Sequence, residues 1–205
     1  PLSDYAEHRN PLWDLMDAAN VPHSLKFQLA SRLQAASPSN PDPIWNPISE
    51  TIRFCTQENL SIIQTHSLLH LDTLIPTIVQ QQKNRTRTGL LSSISRRLAP
   101  DPSDTLQQLS KSISTLDTLH SRLSALILNL QPTLAEIQLW ASILPLLPQN
   151  PATTHWSPHI PTQTSNFLSP LLANATSLSL SLQSLLSNIS DSLTTLRTLR
   201  CHAQP

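Results

Sequence analysis

Glycine is almost missing: Gly89 is the only one in 205 residues. Glycine lets a backbone take positive φ in tight turns or approach a ligand closely. A phosphate-cradling loop built from several glycines is therefore excluded. Tyrosine occurs once and phenylalanine three times, and β-branched residues do not gather into alternating runs, which argues against sheet. Charge is also scarce. Asp, Glu, Lys and Arg make up 13% of the chain, about half the usual share. Thirteen basic side chains balance thirteen acidic ones, so the formal net charge is zero. Such a chain exerts no long-range pull on nucleic acid and has little electrostatic protection against self-association.

Two cysteines far apart, Cys55 and Cys201, do not make a disulfide-stapled scaffold, although one long-range bridge between them stays open. No run of 18 apolar residues offers a membrane span, and nothing has the pattern of a signal peptide. A chain opening on Pro1 is expected to be trimmed or processed, so its targeting information is expected to be incomplete. The cytoplasm is the expected compartment. Four N-x-S/T sequons, at Asn59, Asn84, Asn174 and Asn188, carry little weight in so Ser/Thr-rich a sequence.

What is present is leucine (38), serine (28) and proline (18), a mixture that favours helices joined by stiff connectors. The expected fold class is all-α: an elongated antiparallel helical bundle of long heptad-patterned helices with Pro-rich connectors. Short helices are expected in 1–36, with Asn10–Pro11 as a cap and Leu25, Leu29 and Leu33 on one side. A proline-rich connector follows at 37–47, and the bundle proper at 48–200. Its first long helix is expected from Pro47, capped by Asn46, to about Ile78, with Pro76 kinking or ending it. A basic loop is expected at 83–97, with a short helix over 90–98.

The next helix starts at Asp101–Pro102. Leu or Ile at 106, 109, 113, 116, 123, 127 and 130 alternates three- and four-residue steps, and Pro132 allows a restart into a short apolar helix. A second Pro-rich connector occupies 148–163. The last helix, roughly 163–200, keeps Leu168, Leu171, Ala175, Leu178, Leu182, Leu185, Ile189, Ser192, Leu196 and Leu199 in one register. Its stripe is wider than a two-stranded seam and fits a bundle helix. Arg197 and Arg200 sit in its last turns, where cations suit the helix dipole.

The nearest thing to a chemical constellation is HSLLHLD at 66–72. On one helix, His66 and His70 share a face and could hold a metal ion, with His120 from a neighbouring helix. A zinc-protease helix needs Glu directly after its first His, and Ser67 stands there. A diiron bundle needs E-x-x-H pairs. None of Glu7, Glu50, Glu58 and Glu136 stands three residues before a histidine. Packing or surface histidines are the plainer reading, and no cofactor is expected. With serine so abundant, no Ser/His/Asp arrangement is informative, and Cys55 reads as a small buried hydrophobe. No catalytic residue is assigned.

His120 falls where the seam calls for leucine, and Asp117 lies three residues before it. It reads first as a polar alignment position and only later as a ligand. The most polarised stretch, KNRTRTGLLSSISRR, carries Lys83, Arg85, Arg87, Arg96 and Arg97, with no acid between Asp72 and Asp101. It is a candidate partner-docking patch; without interleaved aromatics it is a weak nucleic-acid footprint. Trp45 and Trp156, in the two connectors, are candidate interface anchors. The expected function is a non-catalytic scaffold or adaptor subunit acting through protein–protein assembly, as a homo- or hetero-oligomer. The alternative is a bundle that holds a metal through His66 and His70, or a lipid in a leucine-lined cavity.

Overall fold

The computed structural model describes residues 42–87, 102–143 and 159–203, together with positions 17, 21, 23, 26, 27 and 32. Among the described residues the regular structure is helical throughout, with no strand, as an all-α chain requires. The four long helices are α1 (Asp42–Ser67), α2 (Leu71–Arg87), α3 (Pro102–Ile143) and α4 (His159–Ala203). Most of the short N-terminal helices expected in 1–36, the stretch 88–101 with Arg96 and Arg97, and Trp156 lie outside the described residues.

Prolines mark the helix boundaries less often than their number predicts. α1 begins at Asp42 and runs straight through Pro47, so the second half of the expected 37–47 connector is helical. Pro47 cannot donate to the carbonyl of residue 43. The interior penalty of about 3 kcal/mol is met by burial on both sides, with Trp45 6% and Ile48 1% exposed. Fully burying such side chains contributes roughly 1.5–3 kcal/mol each.

In α3, Pro132 leaves the carbonyl of Leu128 without its helical donor. Both residues are exposed one turn apart, so that carbonyl can turn to water. One 42-residue helix results instead of the expected restart. α4 likewise carries Pro170 internally, begins at His159 and ends at Ala203.

The break falls instead at 68–70, where the sequence reading has continuous helix. The Leu68 and Leu69 amides donate to the Gln64 and His66 carbonyls at 3.1 Å. His70 then takes a left-handed φ of 46°, which interrupts the helix. The His70 carbonyl accepts from the amides of Thr73 and Leu74 at 3.0 Å and so starts α2. This placement leaves Pro76 in the second turn of α2.

Packing divides the chain into two compact units, Pro1–Thr56 with Leu128–Ser179 and Gln57–Ile127 with Leu180–Pro205. The first unit is cored by Trp45, Ile48, Cys55, Leu130, Ile137, Trp140 and Ile143, joined by Leu168, Ala175 and Leu178. The Trp45 and Trp140 rings meet edge to face at 6.1 Å. Glu136 accepts from the Trp140 indole at 3.2 Å and pairs with Arg32, which ties the N-terminal segment to α3.

The second unit is cored by Ile62, Leu71, Leu74 and Ile78, by Leu109, Ile113, Leu116, Leu119, Leu123 and Leu126, and by Leu182, Ile189, Leu193 and Leu196. Along α3 the buried positions pass through Leu119 and Leu126, one residue before the expected seam positions 120 and 127.

Candidate interaction surfaces

With these cores filled, several large apolar side chains still face solvent. In the second unit Leu60 is 55% exposed, Ile63 41% and Leu68 72%. Leu60 and Ile63 are three apart on α1 and share a face. The Leu68 amide keeps the helical bond to Gln64, so Leu68 continues the strip one turn past Gln64 and two turns past Leu60. The side of α1 that carries Ile62 is buried, so the strip is a second apolar stripe on a helix whose first is already packed.

Polar contacts cross the second unit between helices. Asn59 donates to the Ser181 hydroxyl at 3.2 Å, Arg122 pairs with Glu58 and Arg197 with Asp117 at 2.6 Å each, and the Gln82 amide donates to the Leu199 carbonyl at 3.0 Å. Asn59 is only 6% exposed, and its Oδ1 has no partner within the protein. Burial removes the Asn59 sequon from any modification of the folded chain, whereas Asn174 and Asn188 are exposed. Asn59 follows Ile48 and Cys55 and precedes Ile62 in a buried series with steps of seven, four and three. Projecting that series along α1 would have found it.

The break separates the two histidines of the metal reading. His66 lies in the last turn of α1 and its Nε2 is buried without a partner, while His70 is exposed in the turn with a left-handed backbone. The four-residue helical spacing that would align them therefore does not apply. Among the described residues no group of three or more His, Cys, Asp or Glu could hold a metal ion. His120 is half-buried beside the seam, with Leu119 in the core position. Asp117, its expected neighbour, is engaged by Arg197.

Cys55 is fully buried and Cys201 exposed, and both are free thiols. Burial raises the Cys55 thiol above its ordinary value of 9.0, which suits an inert core residue rather than a nucleophile.

Of the basic stretch, Lys83 is exposed near the end of α2, and Arg85 and Arg87 belong to its last turn. Trp45 is a core residue 6% exposed, so in the folded unit it is not available as a surface anchor. In the first unit an open groove of about 530 Å³ is lined by Pro47, Glu50, Thr51, Phe54, Asn129 and Thr133. No described helix is long and apolar enough to cross a membrane. No protein-family model, curated protein or solved structure matches the chain.

Proposed function

We propose that the chain is a non-catalytic helical subunit that works as a scaffold or adaptor, by protein–protein assembly in the cytoplasm. The observation that carries this reading is the strip formed by Leu60, Ile63 and Leu68, large apolar side chains left in water beside a filled core. Scattered exposed leucines are ordinary. Leu60 and Ile63 on one face of α1, with Leu68 in the turn just past its end, form an apolar patch of the kind that a partner helix covers.

The framework that presents the strip is proposed to be an antiparallel bundle of heptad-patterned helices. Contacts within the second unit support this. From Asn59 to Gln82 the partners on α4 advance from Ser181 to Leu199. Along α3 the order is reversed, with Arg122 at Glu58 and Asp117 at Arg197. The metal-holding alternative has less support, because His66 ends α1 while His70 sits in the helix break that follows it.

The test is co-purification from the source cells with the tagged chain and a Leu60→Asp/Ile63→Asp variant. A stoichiometric partner or second copy on the wild type, lost from an equally helical variant, is the expected result. A wild-type chain that purifies alone, or a partner retained by the variant, contradicts the proposal.

A further inference from the structure

The apolar strip at the end of α1 is arranged symmetrically about one residue. Exposed Gln64 stands at its centre, with exposed Leu60 four residues before it and exposed Leu68 four residues after. The sequence LSIIQTHSL at 60–68 reads nearly alike from either end. Leu60 matches Leu68, Ser61 matches Ser67, and β-branched Ile63 matches β-branched Thr65. Leu60 and Gln64 share a face of α1. The Leu68 amide donates to the Gln64 carbonyl at 3.1 Å, which keeps Leu68 one helical step beyond it.

Such a pattern suits a partner of the same sequence running the opposite way. A two-fold axis at Gln64 sets Leu60 of one chain against Leu68 of the other, twice over. Each leucine then lies about 6 Å along the helix from the axis. The two Gln64 side chains meet at the axis, where a primary amide both donates and accepts and so can pair with its own copy. We infer that the strip docks a second copy of this chain, α1 against antiparallel α1, an inference that rests on the reading of the strip as a covered surface.

Charge agrees with this occupant. Between Arg53 and Asp72 the only Asp, Glu, Lys or Arg is Glu58, and it is paired with Arg122 at 2.6 Å. Two copies of the strip therefore meet without like charges opposed, and the zero net charge of each chain adds no long-range repulsion. A foreign helix is selected through charges beside its apolar seam, and the sequence of this strip lacks their counterparts. Covering the strip also leaves its hydroxyls satisfied. Thr65 and Ser67 donate to the Ser61 and Gln64 carbonyls at 2.9 and 2.8 Å, so neither loses a bond to water when the copies meet.

Sedimentation equilibrium of the purified full chain over a concentration series is the first measurement. The wild type fits a monomer–dimer equilibrium. Leu60→Asp/Leu68→Asp weakens association by about a hundredfold or more, since the apolar pair is lost at two symmetric places. Leu128→Asp, at a leucine 67% exposed in the first unit, leaves it unchanged, and circular dichroism checks that both variants stay helical. Register is read from disulfide trapping in a Cys201→Ser background, with Cys55 buried. Gln64→Cys, at the axis, forms a covalent dimer. Gln57→Cys, also exposed, does not, because its two copies lie about 21 Å apart along the paired helices. Should the Asp variant unfold, the trapping decides alone. A monomer at every concentration, a dimer that survives Leu60→Asp/Leu68→Asp, equal loss with Leu128→Asp, or trapping as fast at Gln57→Cys as at Gln64→Cys overturns the inference. A chain that is monomeric when pure, yet retains a different protein through Leu60 and Ile63 in the co-purification, loses the second copy and keeps the adaptor reading. One that is monomeric and also purifies alone loses both.

Discussion

Replacing Asn59 with leucine is expected to stabilise the protein. The side chain is 6% exposed in the second unit and makes one amide bond, to Ser181 at 3.2 Å, while its carbonyl oxygen has no partner. Losing that bond costs about 1 kcal/mol, and a buried, unsatisfied polar group costs about 1–3 kcal/mol to keep. Ser181 is exposed and exchanges its lost donor for water at little cost. Leucine adds apolar area at a buried position of the same unit.

The balance favours Asn59→Leu by about 1–2 kcal/mol, which for a chain of this size is a rise in Tm of about 3–6 °C. Thermal and urea unfolding followed by circular dichroism measure it. The same substitution removes the directional bond from α1 to Ser181 on α4, and polar seam positions fix register at a cost in stability. Spin labels at exposed Gln64 and Ser184 are therefore expected to show a broader distance distribution in the variant. A variant less stable than wild type by 1 kcal/mol or more refutes the reasoning, because the amide would then be fully satisfied and net stabilising.

Other outcomes follow from the same packing. Cys201 is expected to react with a thiol reagent at once in the native protein, and Cys55 only on unfolding. Because burial raises the Cys55 thiol above 9.0, its contribution to stability is present below that pH and lost as pH rises through the higher folded value; a Cys55→Ala variant should lack this alkaline decline. Glu58 and Arg122, with side chains 33% and 40% exposed, should couple by only about 0.5 kcal/mol in a double-mutant cycle, less in high salt; more than about 2 kcal/mol would place them in a drier setting than their exposure implies. Pro132→Ala should restore the bond to the Leu128 carbonyl and stabilise α3 by about 1–3 kcal/mol in denaturant melts; a loss of stability would mean that the proline ring packs where its exposure says it does not.

The all-α class was legible in the near absence of glycine and in the leucine spacing, because a filled stripe at helical period has one economical solution. Leu109, Ile113, Leu116, Leu123 and Leu130 are buried as that spacing requires. What misled was punctuation. Pro47 reads as a helix start and Pro132 as a restart, yet tertiary burial around the first and solvent access at the second let one helix run through each. The real stop, at Leu68–His70, has no proline or glycine, and His70 takes a left-handed φ that its sequence does not announce. That turn undid the His66–His70 pairing. His120 lost the seam to Leu119 because a wide stripe leaves two residues per turn competing for one core slot.

The adaptor account depends on the strip at Leu60, Ile63 and Leu68 being covered in the cell. A photoreactive amino acid placed at Ile63, with a second chain carrying it at exposed Glu50 in the first unit as reference, tests this directly in living source cells. The account predicts one discrete crosslinked species from position 63 that is weak or absent from position 50. It also predicts that Leu60→Asp and Leu68→Asp together abolish the species, each leucine contributing on the order of 1 kcal/mol or more of covered surface. A position 63 that yields no discrete adduct, or the same diffuse adducts as position 50, would contradict it.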